Sequence, residues 1–384
     1  MLVDQQILRI PGPTPIPPSV QRAMNQPMIG HRSADTAALL ENVRPKLRKV
    51  FGTSEEVAII ASSGTGGMET AFVNAIHPGE EVLVIVTGAF GERFAQICEA
   101  HHAKVHRLNI EWGHAASPEQ IQSYVKENPA IRAVLITYCE TSTGVLNPIR
   151  DIAKAVHAVS DALIIIDGVS SIAGVQLELD DWGIDIAVTG SQKAFMLPAG
   201  LAFVACSQRA WEKIETNPRP KFYFDLKKYR SNIEKNTTPF TPASSLLFGL
   251  EEVLNLVEKE GLENIYRRHL LMMNMTRAAM KALQLPLLTE DASASPTVTA
   301  VHPNTFKAAD FRKILQREFN LVIAGGQQHL ADEIFRIGHM GYCSVADVLQ
   351  TISAIEIALQ KIGHQSQLGA GTAAAQKVYL QEEK

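Results

Sequence analysis

The sequence predicts an α/β protein in which a mostly parallel central sheet is flanked by helices and followed by a smaller C-terminal α+β domain. Between residues 51 and 206, short apolar runs alternate with longer stretches of helical periodicity, a pattern typical of βαβ units. Four runs are apolar at successive positions, as strands covered on both faces should be: residues 81–86, 133–138, 163–166 and 201–205. The 384-residue chain also exceeds the roughly 250–300 residues at which a single core usually stops growing, so two packed domains are expected.

The order of these patterns divides the chain into an arm, two domains and a tail. Prolines between residues 11 and 18 remove hydrogen-bond donors and fix φ, so this segment is expected to be extended. Apolar residues at positions 250, 253, 254 and 257 predict a long helix at the end of the large domain. The glycine- and alanine-rich C-terminus has little apolar periodicity. The predicted units are an extended N-terminal arm (1–18), a large domain (19–258), a small domain (259–363) and a flexible tail (364–384).

Composition and cysteine spacing argue against several classes of protein. Charged residues make up 20% of the chain and the formal net charge is -4, so there is no electrostatic bias toward nucleic acid. The four cysteines stand far apart without CxxC spacing, which argues against a metal site or a disulfide framework. The N-terminus lacks the features of a signal peptide, and no segment reaches 18 uninterrupted apolar residues. A cytoplasmic protein without a membrane segment is expected.

A carboxylate and a lysine stand out as candidate reactive groups. Asp167 directly follows the apolar run 163–166, at the carboxyl edge where open α/β sheets bind ligands. Lys193 lies between two apolar stretches, where burial would lower its pKa and favour a nucleophilic amine. Pyridoxal 5′-phosphate needs both groups, since its aldehyde condenses with a lysine and its protonated ring nitrogen pairs with a buried aspartate. The two residues therefore predict this cofactor, held by Lys193 as a Schiff base.

A glycine- and serine-rich loop at residues 61–70 is a candidate phosphate site. Its small residues enter a predicted helix, whose free N–H groups and dipole favour an anion, and Ser63 and Thr65 add hydroxyl donors. The loop matches neither GxGxxG after a strand nor GxxxxGKS/T, which makes a nucleotide less attractive. Because such turns are also common before helices that bind nothing, the loop alone leaves both interpretations open.

Five segments, in order along the chain, resemble the motifs of class V aminotransferases, and especially their alanine/serine–glyoxylate branch. They are residues 63–65 (SGT), 140–145 (ETSTGV), 167–171 (DGVSS), 190–194 (GSQKA) and 335–338 (FRIG). The resemblance extends from about residue 11 to about residue 341. It implies fold type I of the pyridoxal-phosphate enzymes, a homodimer with active sites at the subunit interface, and transfer of an amino group between small amino acids and 2-oxo acids.

The resemblance also implies a role for each matched residue around the cofactor ring. Lys193 corresponds to the lysine that forms the Schiff base and shuttles the substrate proton. Asp167 corresponds to the partner of the ring nitrogen, and Thr141 to the residue that bonds the ring hydroxyl. Val169 is expected to pack on one face of the ring. Phe90 stands where the family places an aromatic residue, often tryptophan, on the other face.

The phosphate group is expected to have its own set of ligands. The resemblance assigns it to Ser63, Gly64, Thr65 and Gln192, with Thr241 reaching the phosphate bound by the other subunit. Two positions depart from some relatives: Thr65 stands where they have histidine, and Thr238 stands near the place of a phosphate-binding tyrosine. The phosphate contacts are therefore expected to differ in detail from those of these relatives.

Arg336 is expected to bind the substrate carboxylate. A guanidinium grips a carboxylate with two parallel hydrogen bonds, and every amino-acid substrate presents one. The position of Arg336 after Gly325 and Gly326 matches the family motif, which favours this role over a surface salt bridge. Gly12, between two prolines of the arm, is expected to approach the same carboxylate through its backbone.

The predicted function is a pyridoxal-phosphate-dependent aminotransferase that moves an amino group from alanine or serine to glyoxylate or pyruvate by a ping-pong mechanism. Ureidoglycine–glyoxylate transamination is an alternative known among relatives. Cysteine desulfuration would need a cysteine on a loop before Arg336, and residues 323–328 contain none. Some relatives carry the label of a soluble hydrogenase small subunit, which would imply a redox complex with another protein. The sequence leaves open the amino donor, the preferred oxo acid and the existence of such a partner.

Overall fold

A seven-stranded sheet forms the centre of the large N-terminal part of the chain in a computed structural model, which describes residues 6–382. With strands numbered in chain order, they lie side by side as β2 (Val57–Ser62), β10 (Gly200–Cys206), β9 (Ile186–Gly190), β8 (Leu163–Asp167), β5 (Ile131–Thr137), β3 (Glu81–Val86) and β4 (Lys104–Asn109). Strand β10 is antiparallel to β2 and β9, and all other neighbours are parallel. The predicted mostly parallel sheet is confirmed.

Helices cover both faces of this sheet, which explains the continuous apolar runs. In β8, Ile164 and Ile166 enter one hydrophobic cluster while Leu163 and Ile165 enter the other. Within residues 6–382, no helix combines the length and apolar character needed to cross a membrane. The helices of this part are α1 (Pro18–Met24), α2 (Ala34–Phe51), α3 (Gly64–Ala75), α4 (Ala89–Ala100), α5 (Pro118–Glu127), α6 (Ile149–His157), α7 (Gln208–Thr216), α8 (Leu226–Ile233) and α9 (Ser244–Glu260).

A second, four-stranded sheet lies in the C-terminal part and includes a strand from the N-terminal arm. Its order is β1 (Ile7–Arg9), β12 (Leu321–Gly325), β13 (Phe335–Gly338) and β11 (Val298–Val301). Strand β1 pairs in parallel with β12, with Ile7 opposite Leu321. The arm is thus extended and pairs with a strand more than 300 residues away in sequence. Helices α10 (Leu262–Ala282), α11 (Ala308–Phe319) and α12 (Val345–Lys361) pack with this sheet around a third hydrophobic cluster.

The C-terminal segment differs from the predicted flexible tail. Residues Ala370–Glu382 form helix α13, which packs on α10 and α12. Ala375 is fully buried, and the carboxylate of Glu356 in α12 accepts hydrogen bonds from Gly371 N at 2.7 Å and Thr372 N at 3.2 Å. Alanine has the highest helix propensity and gives little apolar periodicity, so the helix depends on the surface it packs against. Residues 1–5 of the predicted arm and 383–384 of the predicted tail lie outside the described residues.

The carboxyl ends of the central parallel strands create the edge on which the candidate residues meet. Asp167, the last residue of β8, lies between Thr137 of β5 and Val188 of β9. A short hairpin, β6 (Cys139–Glu140) and β7 (Val145–Leu146), follows β5 at the same edge. This is the position at which open α/β sheets bind ligands.

Candidate active site

Lys193 lies in the turn after β9 and is buried. Ser191 fixes the turn, because its Oγ donates to Pro198 O at 2.6 Å. The N-terminal arm holds the lysine from the other side. Thr14 Oγ1 donates to Lys193 O at 2.9 Å, and Lys193 Nζ donates to Pro11 O. The side chain is therefore enclosed by two segments that are about 180 residues apart in sequence.

Burial makes the Lys193 amine easier to deprotonate. Desolvation lowers the pKa of Lys193 from 10.5 to about 8. An amine with such a pKa exchanges protons close to neutral pH, as a nucleophile and proton carrier must. Gly12 passes directly over this side chain: its φ is +112°, and a Cβ there would lie 2.8 Å from Lys193 Nζ. Both the backbone angle and the close approach to the lysine explain the glycine between two prolines.

Asp167 is also buried and keeps one oxygen free of protein partners. Its Oδ1 accepts from Val169 N at 2.9 Å, and no hydrogen bond links its second oxygen to any residue in 6–382. Burial raises the pKa of Asp167 from 3.8 to about 6, although Lys193 acts in the opposite direction. A buried carboxylate with an open acceptor is suited to bind a cationic group of a ligand.

We expect Asp167→Asn to stabilise the cofactor-free protein at neutral pH. Below about pH 3 the carboxyl is protonated in both the folded and the unfolded chain, so its effect on stability vanishes. Above pH 6, burial penalises the ionised form only in the folded state. The variant should therefore raise the free energy of unfolding by about 2–3 kcal/mol at pH 8 and by nearly zero at about pH 3. Urea unfolding of both cofactor-free proteins measures this difference, and a gain that does not depend on pH would contradict the expectation.

The predicted phosphate loop lies at the N-terminus of α3. Ser63 caps the helix, and its side chain accepts from Gly66 N at 3.4 Å. The first N–H groups of a helix lack intrahelical partners, so those of Gly64 and Thr65 are open to an anion. A Cβ on Gly64 would lie 2.7 Å from Val169 Cγ2, so the glycine allows the helix to begin close to the residues after Asp167.

Gln192 approaches the same helix N-terminus from the turn after β9. A Cβ on Gly190 would lie 2.9 Å from Gln192 Oε1 and 3.3 Å from Gly64 Cα. Gln192 Oε1 is buried without a hydrogen-bond partner among residues 6–382. The unpaired amide oxygen marks a polar position that the chain itself does not satisfy.

Arg336 reaches the site from β13 of the second sheet. It is 6% exposed; its Nε donates to Gly325 O at 2.7 Å and its Nη1 to Thr141 O at 2.7 Å. Burial lowers the pKa of Arg336 to about 10, which keeps the guanidinium charged at neutral pH. Two of its five N–H groups are used by these carbonyls, so the others can grip a carboxylate. Thr141 Oγ1 in turn donates to Ser170 Oγ at 2.6 Å, next to Val169.

The structure thus brings the predicted residues together in one site, with the exception of Thr241. Phe90 is half-buried in the first turn of α4 and its N–H donates to Glu140, the neighbour of Thr141. Thr241 is exposed in the segment before α9. Its predicted partner is a phosphate bound to another subunit, so its role stays a prediction.

Sequence reasoning missed three residues that fix the site. Thr14 holds the Lys193 carbonyl, Ser170 accepts from Thr141, and Glu140 binds the start of α4. Asp167 was predicted because it is a carboxylate just beyond an apolar run. Glu140 follows the apolar strand β5 in a similar way, so the same signal could have identified it. The partners of Thr14 and Ser170 are distant in sequence and leave no comparable local pattern.

These side chains fit pyridoxal 5′-phosphate. Lys193 supplies an amine that can be neutral near physiological pH, and Asp167 supplies a buried carboxylate with a free oxygen. The start of α3 supplies N–H donors for a phosphate, and Gln192 beside it carries a side-chain N–H₂ group that can also donate to one. Each group of the cofactor that needs a protein partner therefore has one of suitable chemistry.

Comparison with known proteins identifies the family. The family model described as "Aminotransferase class-V" matches residues 11–350 of this chain. The chain is 42% identical to "Soluble hydrogenase, small subunit" of Synechococcus sp., with 98% of both chains covered. It is 35% identical to serine–glyoxylate aminotransferase of Arabidopsis thaliana, over 97% of this chain and 95% of the relative. The crystal structure of ureidoglycine–glyoxylate aminotransferase from Bacillus subtilis matches with a TM-score of 0.93, 31% identity and 99% coverage of both chains. With fold type I and pyridoxal 5′-phosphate as its implied cofactor, this chain belongs to the class V aminotransferases.

Proposed function

We propose that this aminotransferase moves the amino group of alanine or serine to glyoxylate or pyruvate in two half-reactions at one site. The observation that carries the proposal is the meeting of Lys193, Asp167 and Arg336 at the carboxyl edge of the sheet. The relative named serine–glyoxylate aminotransferase supports the choice of a small donor and a small oxo acid. All three side chains are buried, so a small substrate would react away from bulk water.

Each of these residues has a distinct task in the proposed cycle. Bound pyridoxal 5′-phosphate supplies the aldehyde that takes up the amino group and a ring that withdraws electrons from the substrate carbon. Arg336 binds the substrate carboxylate and fixes the orientation of that carbon relative to Lys193. The amine Nζ of Lys193 takes the proton from the carbon and later returns one. Asp167 keeps the ring nitrogen protonated, and Ser63 and Gln192 help to hold the phosphate.

Cysteine chemistry is not supported by the thiols near the site. Cys139 Sγ lies 2.9 Å from Ser295 Oγ, and burial raises the pKa of this thiol to about 11. Cys343 is buried after Arg336, and burial likewise raises its pKa to about 11. The reactive form of cysteine is the thiolate, which these environments disfavour. The geometry therefore favours transamination over desulfuration.

A panel of amino donors tests the proposal. Alanine, serine and aspartate are each offered with glyoxylate or pyruvate, and the absorbance of the bound cofactor is followed in single half-reactions. We expect alanine or serine to exceed aspartate in kcat/KM by at least about tenfold, because a pocket for a small side chain rejects an unpaired second carboxylate. Parallel double-reciprocal plots are expected for the two-substrate reaction.

Two results would contradict the proposal in different ways. A preference for aspartate would retain transamination but refute the small donor. Protein that carries a metal or a fixed second polypeptide and binds no pyridoxal phosphate would instead favour the role implied by the hydrogenase label of the Synechococcus relative. Ureidoglycine is added to the panel, because the similar Bacillus subtilis enzyme is named for it.

A further inference from the structure

Glu140 is a buried carboxylate to which the proposed cycle gives no task. It ends the short strand β6, directly before Thr141, and its side chain is inaccessible to solvent. Burial raises its pKa, while hydrogen bonds from Ser142, Gly91 and Phe90 act in the opposite direction. A buried carboxylate is costly unless its oxygens are well satisfied, so its partners indicate what the chain gains from it.

The partners of Glu140 are the first N–H groups of helix α4, about 50 residues earlier in the chain. Phe90 N donates to Oε2 at 3.1 Å and Gly91 N donates to the same oxygen at 3.0 Å. Ser142 Oγ donates to Oε1 at 2.5 Å and accepts from Ala89 N at 3.0 Å. The cap residue of α4 is a glycine without a side-chain hydrogen bond. Glu140 and Ser142 therefore cap this helix from a distant part of the chain.

The close approach of the two segments requires Gly88. A Cβ at this position would lie 2.5 Å from Glu140 Cδ and would also collide with Ser142 Oγ. Any larger residue would push the helix start away from the hairpin. The contact between the start of α4 and the β6–β7 hairpin therefore depends on Gly88 in one segment and on Glu140 and Ser142 in the other.

This cap connects two parts of the active site. Phe90, which donates to Glu140, carries the ring predicted to contact the cofactor, and the guanidinium carbon of Arg93 lies 4.7 Å from the centroid of that ring. Thr141, the next residue after Glu140, accepts from Arg336 and donates to Ser170. One carboxylate thus fixes the backbone of the ring-bearing turn relative to the turn that supports the substrate-binding arginine.

We propose that Glu140 is a positioning residue that holds Phe90 where it contacts the cofactor, so that it controls cofactor affinity without touching cofactor or substrate. This inference rests on the proposed function for the role of Phe90. Glutamine at position 140 would turn an N–H₂ group toward N–H donors and lose the charge-assisted hydrogen bonds. The first turn of α4 would then shift, and with it the ring.

The helix α13 provides a matched control. Glu356 is also a buried glutamate that accepts from two backbone N–H groups and a hydroxyl at a helix start, those of Gly371 and Thr372. It lies in α12, which packs against α10, α11 and α13 of the C-terminal part. Glu356→Gln should therefore cost stability in the same way as Glu140→Gln, with no effect on the cofactor.

The test compares dissociation constants for pyridoxal phosphate and the visible circular dichroism of the saturated proteins. We expect Glu140→Gln and Phe90→Ala each to weaken cofactor binding about tenfold, comparable with the loss of one aromatic contact. The double variant should be no weaker than the single ones, since both changes remove the same contact. The visible dichroism per bound cofactor should fall in Glu140→Gln and stay unchanged in Glu356→Gln.

The outcomes separate this inference from the proposed function. Equal cofactor affinity and dichroism in Glu140→Gln and Glu356→Gln, or additive effects of Glu140→Gln and Phe90→Ala, would refute a positioning role even if the enzyme transaminates. If the wild-type protein fails to transaminate, the proposed function is wrong, but the comparison of cofactor affinity between Glu140→Gln and Glu356→Gln still tests the positioning role. If Glu140→Gln does not fold, Ser142→Ala replaces it, with an expected loss of about threefold in cofactor affinity because one hydroxyl of the same cap is removed.

Discussion

Replacement of Lys193 by alanine is expected to lower kcat for amino transfer by about 10³-fold or more, because the variant lacks both the amine that binds the cofactor and the proton carrier. The fold should persist. Thr14 Oγ1 bonds the backbone carbonyl of residue 193 rather than its side chain. Burial also makes protonation of this lysine unfavourable, which offsets part of the packing and of the hydrogen bond to Pro11 O that its removal loses. Single-turnover kinetics with alanine or serine measure the effect. Borohydride reduction followed by denaturation should leave the cofactor covalently attached to the wild-type protein and release it from the variant.

Chemical rescue is the control for Lys193→Ala. A small primary amine, such as methylamine, should enter the space left by the side chain and restore part of the rate. Larger amines should restore less, because Gly12 and Pro11 enclose the position. A variant that keeps more than a tenth of the wild-type kcat without added amine would show that Lys193 is not the proton carrier.

Replacement of Arg336 by lysine is expected to lower kcat/KM by about 10²-fold, and replacement by alanine by more. Lysine cannot donate to Gly325 O and Thr141 O and still grip a carboxylate with two parallel bonds. The loss should appear mainly in KM for the amino acid, while the affinity for pyridoxal phosphate stays close to that of the wild type. Half-reaction kinetics over a range of donor concentrations separate the two parameters.

Arg277 supplies the matched control for this change. It is 4% exposed and donates to Thr289 O at 2.7 Å and to Asp291, within the C-terminal part of the chain. Arg277→Lys should lower stability by a similar amount and leave kcat/KM unchanged. If the two variants lose kcat/KM equally, the role of Arg336 is structural and carboxylate binding must be assigned elsewhere.

The fold was predictable because its main pattern is local. Apolar residues at every position from Leu163 to Ile166 follow from helices on both faces of the sheet, and this signal needs no knowledge of distant partners. Helix α13 was not predictable in the same way. Its alanine-rich sequence carries little apolar periodicity, and its burial depends on the surface of α10. The pairing of β1 with β12 is likewise a contact between segments more than 300 residues apart in sequence.

In the candidate site, too, residues with a local sequence signal were predictable and contacts between distant segments were not. Asp167 could be predicted because it follows an apolar run at the edge of the sheet, and Lys193 because it lies between two apolar stretches. The family motif around Arg336 added the third residue. The contact of Glu140 with Phe90 spans 50 residues, and that of Thr14 with Lys193 spans 179. A glutamate in a threonine- and serine-rich turn is ordinarily solvated, so only the structure shows that it is buried and what it binds.

The N-terminal arm contacts both the C-terminal sheet and Lys193. Its first described residues are a strand of the C-terminal sheet, and a few residues later Pro11 and Thr14 bond Lys193 directly. Pro11 and Pro13 restrict the backbone between these two contacts. The arm therefore joins the sheet that carries Arg336 to the turn of Lys193, by strand pairing at one end and by hydrogen bonds at the other.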